Sequence, residues 1–238
     1  MKLEQLPKVS CIVPTYNREP MLLNSIRMFQ EQTHPNREMV IVDDSDPVMS
    51  QKIMKVIRED PNIRYIRLRT RKSIGHKRNV AVKEARGKYI AFWDDDDIQG
   101  PDRLLNQARR MEAVRCDVCT NGRHIYYRTD TRQFHTIKSK PELQEQLWWK
   151  RMLMPSLMFK KSLIKYARFP NRYISEDKAF FRDVMRRYPR CLRIDLWEEA
   201  PACDFAYVLH PKNTAWSNLA TQMISVTKPY SRHSLCVR

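Results

Sequence analysis

Through the first hundred residues, short apolar runs alternate with amphipathic stretches, and each run ends on a polar cluster. Val9 to Val13 has the pattern of a buried strand. The turn-rich Pro14, Thr15, Tyr16 and Asn17 come next, then a helix with Leu22, Ile26 and Phe29 on one face. Met39 to Val42 predicts a second strand ending on Asp43 and Asp44, and Ile53, Val56 and Ile57 mark a second helix that Pro61 stops. Ile66 and Leu68 alternate with Arg67 and Arg69 as a third strand, and Ser73 is placed to cap a helix ending at Gly87. Tyr89 to Trp93 is the fourth strand, and it runs directly into Asp94, Asp95, Asp96 and Asp97.

Strands alternating with helices predict an α/β fold with a mainly parallel central sheet. In such sheets ligands bind beyond the carboxyl ends of the strands, where loops and helix N-termini converge. Residues Pro14 to Asn17, Asp43 to Asp46, Ser73 to Arg78 and Asp94 to Asp97 should therefore share one edge.

The second half is less regular and predicts a smaller, mixed region. His124 to Arg128 and Phe134 to Lys138 suggest a hairpin around Thr129 to Thr131, and Pro141 to Trp149 suggests a helix. The run Cys116 to Asn121 and the run Met154 to Phe159 look like strands, Glu176 to Tyr188 like an amphipathic helix, and Ala206 to His210 like a late strand.

Composition narrows the class. At 238 residues, 42% of them hydrophobic, the chain suits one compact body rather than two domains. Residues 1–115 are expected to form the more regular half of that body and 116–238 the less regular half. No stretch approaches the roughly eighteen apolar residues of a membrane-spanning helix, and the N-terminal MKLEQLPKVSCIVP lacks the apolar core of a signal peptide. Six scattered cysteines favour reduced thiols and a cytoplasmic setting, and the lone pair Cys116 and Cys119 reads as part of a buried strand rather than a zinc site. With only Gly75, Gly87, Gly100 and Gly122, neither a dinucleotide fingerprint nor a phosphate loop can be built. A net charge of +17 either solubilises the surface or attracts phosphorylated substrates, polyanions or an anionic membrane face, so peripheral membrane contact stays open. It is densest from Arg64 to Arg78.

Four adjacent carboxylates repel one another by on the order of 1 kcal/mol per close pair in water, and by more where solvent is partly excluded. A hard cation such as Mg²⁺ or Mn²⁺ relieves this and takes oxygen ligands, commonly one or two carboxylates plus substrate phosphates and water. A solvated acidic loop is the alternative. The preceding YIAFW favours the cation, because an apolar strand delivers the carboxylates to the ligand-binding edge.

Here CIVPTYNRE, VIVDDSD, SIGHKRNVAVKEARGKYIAFWDDDDI and SEDKAFF together resemble family 2 glycosyltransferases of the GT-A fold. The resemblance implies transfer of a sugar from a nucleoside-diphosphate sugar to an acceptor hydroxyl, with inversion and with Mn²⁺ or Mg²⁺ at a DxD site. It places Pro14, Thr15, Tyr16, Asp43, Asp44 and Arg78 beside the nucleotide, Asn79 next to that arginine, and Asp95 near the ribose. It makes Asp96 the metal ligand with Asp94 as first member of the motif, and it offers His210, with Asn213 behind it, near the metal or diphosphate. It makes Asp177 the general base, beside Glu176. Helix N-termini also favour acids whatever their role. Trp148 and Trp149 fit a sugar-stacking platform as well as they fit a core or lid. The expected acceptor is a glycan, glycoprotein or lipid-linked molecule, and nucleic acid is not expected.

Two rivals remain open from the residues. A metal-dependent nucleotidyltransferase would share the acidic site and release pyrophosphate. A basic nucleic-acid-binding module would account for the charge alone and leaves the four aspartates unexplained.

Overall fold

A computed structural model describes residues 5–122, 124–137, 152–188, 192–197, 199–201 and 204–210. Its main sheet has seven strands: β1 (Val9–Thr15), β2 (Arg37–Asp43), β3 (Ile63–Arg67), β4 (Tyr89–Phe92), β6 (Val118–Asn121), β9 (Met158–Lys160) and β10 (Ile194–Trp197). Their order across the sheet is β10, β6, β9, β4, β1, β2, β3. Six strands run the same way, and β9 alone opposes its neighbours β4 and β6.

Both faces are covered, which is why β1, β2 and β4 contain nearly continuous apolar runs. Along β1, Val9, Cys11 and Val13 point into one core and Ile12 into the other, the period of two that a pleated strand imposes. The first core packs against Leu22, Ile26 and Phe29 of α1 (Glu19–Gln30), Ile53 and Ile57 of α2 (Gln51–Glu59), and Leu104, Ala108 and Met111 of α4 (Arg103–Val114). The second packs against Ala81 and Val82 of α3 (Ile74–Glu84) and Phe180, Phe181 and Val184 of α5 (Glu176–Arg187).

A smaller four-stranded sheet lies beside the acidic loop, in the order β5 (Ile98–Gln99), β11 (Phe205–Leu209), β7 (His124–Arg128), β8 (Gln133–Ile137). The β7–β8 hairpin has the expected antiparallel pairing, while β11 runs parallel to β7 and antiparallel to β5.

Several elements differ from the sequence expectation. Ser73 caps α3 as expected, its hydroxyl accepting from His76 N at 3.1 Å, but the helix ends at Ala85 rather than Gly87. Gly87 instead lets the chain pass close to β1, since a Cβ there would lie 2.6 Å from Ser10 Oγ and 2.7 Å from Lys8 O. Met154 to Phe159 is not one strand. Met154–Ser156 forms a 3-10 turn in which Pro155 has no N–H to give a ladder, and the Ser156 hydroxyl donates to Leu153 O at 2.8 Å and accepts from Asn121 N at 3.0 Å. The short strands β5 and β10 carry too little periodicity to have been read. Cys116 and Cys119 are buried free thiols whose pKa is raised by burial. The proposed helix Pro141 to Trp149, with Trp148 and Trp149, and Asn213, Cys191, Cys203 and Cys236 lie outside the described residues. Among the described residues, no helix is long and apolar enough to cross a membrane.

Candidate functional site

The four polar clusters meet at the carboxyl edge of the main sheet. Thr15 Oγ1 donates to Asp95 Oδ2 at 2.6 Å, joining the end of β1 to the loop after β4. Asn17, in the left-handed region at φ 50°, ties the β1 loop to the β2 loop: its N donates to Ser45 Oγ at 2.7 Å, and its side chain exchanges hydrogen bonds with the Asp46 backbone. Lys77, on α3, donates from Nζ to Thr15 O and to Asp44 Oδ1, both at 2.8 Å. Arg78 is the next residue on the helix and donates from Nη2 to Asp94 Oδ1 at 3.0 Å.

The paired acids after β2 are both buried, with different partners. Asp43 accepts from Ser45 N at 2.8 Å and from Tyr65 Oη at 2.5 Å. Asp44 accepts from Lys77, from Lys72 N at 2.6 Å and from Arg71 Nη1 at 3.1 Å. The Arg71 guanidinium also lies flat against Tyr16, its Cζ 3.2 Å from the ring centroid. Arg71 thus joins the Tyr16 ring to the buried Asp44 carboxylate.

The four successive aspartates have four separate environments. Asp94 faces Arg78 and keeps 24% of its side chain exposed. Asp95 takes the Thr15 hydroxyl and Arg18 Nη1 at 3.1 Å; burial and then the neighbouring Asp96 push its pKa up to about 6. Asp96 Oδ2 lies 2.7 Å from Arg18 Nη1 and 3.1 Å from His210 Nε2. Burial raises the Asp96 pKa, but the imidazole and the guanidinium outweigh it and leave this carboxyl below its ordinary value. Asp97 is buried and pushed well upward by that burial; its Oδ1 accepts from Val208 N at 3.0 Å. That bond fixes β11 against the acidic loop, and two residues later the chain presents His210.

Across Arg78 from the acidic loop, α5 starts at Glu176 and Asp177 after Ser175, which takes a left-handed φ of 57°. Glu176 is buried and its Oε1 lies 2.8 Å from Arg78 Nη1. Burial carries its pKa up to about 7 against the pull of Arg78. Asp177 is half-buried, and its Oδ1 accepts from Lys178 N at 2.6 Å. Gly75 holds this segment against α3: its N donates to Arg172 O at 3.2 Å, and a Cβ there would overlap the Pro170 carbonyl. Asn79 braces the same segment by exchanging hydrogen bonds with the Phe169 backbone at 2.7 and 3.0 Å.

Thus Pro14, Thr15, Tyr16, Asp43, Asp44, Arg78, Asp94, Asp95, Asp96, Glu176, Asp177 and His210 are gathered around one edge. Sequence reading did not single out Arg18, Arg71, Lys77 or Gly75. Arg71 and Lys77 belonged to the basic run Arg64 to Arg78, which divides on folding: Arg64 faces Glu38 and Glu84, whereas Arg71, Lys77 and Arg78 turn into the site. Arg18 had a visible signal, a cation next to the Pro14 to Asn17 turn, with no partner identifiable in its own segment. Asp96 and His210 offer a carboxylate oxygen and an imidazole nitrogen to a divalent ion. Among the described residues, no three His, Cys, Asp or Glu side chains converge as a ready metal cage.

Comparison with known proteins bears on the family and the fold. The chain is 28% identical over 184 residues to an uncharacterized glycosyltransferase of Haemophilus influenzae, covering 76% of this chain and 73% of that one. Its fold is similar to that of S. aureus TarS in complex with UDP-GlcNAc, with a TM-score of 0.68 at 23% identity over 87% of this chain and 60% of that chain. It is also similar to the mannosyltransferase PcManGT of Pyrobaculum calidifontis in complex with GDP-Man and Mn²⁺, with a TM-score of 0.66 at 18% identity over 93% of this chain and 63% of that chain. The chain therefore spans less than two thirds of the length of those two solved chains. These neighbours share the GT-A fold, the α/β architecture with a mostly parallel sheet described above. A family profile described as Glycosyl transferase family 2 matches residues 10–181, most of the chain, and the chain belongs to that family of glycosyltransferases.

Proposed function

We propose that the chain transfers a sugar from a nucleoside-diphosphate sugar to an acceptor hydroxyl with inversion at the anomeric carbon, and that Asp177 is the general base. The observation that carries this reading is the pair of contacts made by Arg78, 3.0 Å to Asp94 and 2.8 Å to Glu176, which holds the start of α5 beside the acidic loop. The diphosphate belongs at that loop, and a base that serves the attacking hydroxyl belongs across from it.

Residues 1–115 supply the donor side and residues 116–238 the acceptor side. Tyr16 and Asp44 suit the nucleobase, through stacking and a carboxylate acceptor, once Arg71 moves aside. Asp95, held by Thr15, suits the ribose. A hard divalent cation fits Asp96 with His210, and Asp94 lies on the same loop; phosphate oxygens and water would complete its shell, in keeping with a site that offers fewer than three converging ligands. When bound, Mn²⁺ or Mg²⁺ would stabilise negative charge on the departing diphosphate.

The chain's own residues do the rest. Asp177 takes the acceptor proton as the hydroxyl oxygen forms its bond to the anomeric carbon. The bond from that carbon to the phosphate oxygen breaks, and its electron pair leaves with the nucleoside diphosphate. Such a leaving group is a stable anion and needs no proton, so one base suffices where a glycoside hydrolase uses two carboxyl groups. UDP-GlcNAc and GDP-Man are the donors held by the two structural neighbours, and nucleoside-diphosphate sugars are the class to test. The acceptor class is a glycan, glycoprotein or lipid-linked hydroxyl, met in the cytoplasm or at a membrane face.

The test is a panel of nucleotide sugars with Mn²⁺, Mg²⁺ or chelator, followed by product identification and the Asp177→Asn variant. The expected products are a free nucleoside diphosphate and an inverted linkage, with transfer lost and nucleotide binding retained in Asp177→Asn. Robust transfer by that variant removes Asp177 from the mechanism. Release of pyrophosphate assigns the site to nucleotidyl transfer instead.

A further inference from the structure

Arg18 precedes α1 at its N-cap position, but its side chain makes no capping bond. It reaches instead across the strand ends to the acidic loop, with Nη1 3.1 Å from Asp95 Oδ1 and 2.7 Å from Asp96 Oδ2. The oxygen of Asp96 that meets Arg18 is the same one that faces His210 at 3.1 Å. A guanidinium and a metal ion at this point would draw on the same lone pairs.

The two arginines of the acidic loop differ in how firmly they are held. Arg78 is 5% exposed, lies over Phe92 with its Cζ 4.0 Å from the ring centroid, and contacts a carboxylate on either side. Arg18 keeps 36% of its side chain exposed, and its charged contacts among the described residues are with Asp95 and Asp96. Arg18 therefore has a path to solvent that Arg78 lacks. A dication brought to Asp96 with Arg18 still in place would face like charge at contact distance in a half-dry site. A diphosphate arriving with the cation resolves the conflict, because its oxygens accept a guanidinium in paired hydrogen bonds.

We propose that Arg18 is a displaceable counter-ion that couples metal binding to diphosphate binding: it holds Asp95 and Asp96, yields Asp96 to the divalent cation, and is received by the diphosphate. The cation alone then binds weakly, because it must displace Arg18 and finds no ready cage among the described residues. With the diphosphate it binds tightly. This rests on the metal role assigned above to Asp96. By linkage, whatever factor the nucleotide adds to metal affinity, the metal adds to nucleotide affinity.

The test is equilibrium Mn²⁺ binding, read from the free-ion paramagnetic resonance signal, with and without UDP and, separately, GDP. The proteins are the natural chain, Arg18→Met, Arg18→Ala and Asp96→Ala, each checked for folding by thermal melting. Without nucleotide, both Arg18 variants should bind Mn²⁺ about tenfold more tightly than the natural chain, as expected when a competing charge at contact distance is removed. The factor by which the preferred nucleotide raises Mn²⁺ affinity should shrink in both. If the Arg18 variants bind Mn²⁺ no more tightly than the natural chain while Asp96→Ala loses it, the metal role stands and the counter-ion role falls. If the natural chain binds no Mn²⁺ with either nucleotide, both fall.

Discussion

Arg78 Nη1 lies 2.8 Å from Glu176 Oε1 while Nη2 of the same guanidinium lies 3.0 Å from Asp94 Oδ1, so one buried side chain joins the first residue of α5 to the first residue of the acidic loop. The two acids are separated by eighty-two positions in the chain and share a single counter-charge. Burial lowers the tendency of Arg78 to stay charged, but Asp94 and Glu176 outweigh it and hold its pKa above the ordinary arginine value.

Removing that counter-charge should be costly. Arg78→Met leaves two mostly buried acids facing each other, and breaking such a pair typically costs about 3–5 kcal/mol. Chemical denaturation should show a loss of that order, and nucleotide-sugar turnover should fall at least as far. Arg78→Lys keeps the charge but offers no fork to span both acids, so stability should recover more than turnover.

Glu176 predicts a pH dependence. Its folded pKa, about 7, is raised above the ordinary glutamate value, so the folded chain holds this proton more tightly than the unfolded one. The favourable contribution is full below the unfolded pKa of about 4.3 and is lost as pH rises through about 7. Ionisation over the same window strengthens the contact with Arg78. Turnover should therefore climb with a midpoint near 7 while stability declines, and Glu176→Gln should remove both features. An unchanged pH–rate profile in that variant would assign the inflection to another group.

Gly75→Ala tests the seam between α3 and the segment that leads into α5. The added methyl meets the Pro170 backbone carbonyl, and Glu176 Cβ is only 3.3 Å away, so the segment before α5 must move. The expected loss is about 1–3 kcal/mol of stability, as for other overpacked sites. Transfer should fall more than Mn²⁺-dependent nucleotide binding, since the displaced residues lead into Glu176 and Asp177, where the proposed base sits. Isothermal titration compared with turnover separates the two effects.

Thr15→Val removes a hydroxyl and little volume. Asp95 loses its 2.6 Å donor, and a buried acceptor left unsatisfied costs about 1–3 kcal/mol. The Thr15 hydroxyl also lowers the Asp95 pKa, so without it the carboxyl should titrate above about 6. Nucleotide affinity measured from pH 5.5 to 7.5 should weaken most at the acid end.

Much of the site was legible because a parallel sheet buried on both faces leaves a strong local record. Met39 to Val42 and Tyr89 to Trp93 are apolar throughout and Val9 to Val13 is apolar but for Ser10, and the polar residues at the end of each run must lie on one edge. The pairings there were not legible. Nothing local says that Arg18 meets Asp96, that Lys77 is spent on Asp44, or that Arg78 rather than a surface lysine separates Asp94 from Glu176. The short β5 and β10, and the turn at Pro155, were missed because their conformations come from partners distant in the chain.

By itself the sequence determined the alternation of strand and helix, the edge on which the polar clusters gather, and the types of group available there. These come from periodicity and from the chemistry of each side chain, both local properties. Only the tertiary structure decided that four consecutive aspartates have four different tasks: Asp94 against Arg78, Asp95 under Thr15, Asp96 between Arg18 and His210, and Asp97 inward on Val208. Neighbours in the chain share a composition, whereas burial and opposing charge act through space, and these set the environment of each carboxylate.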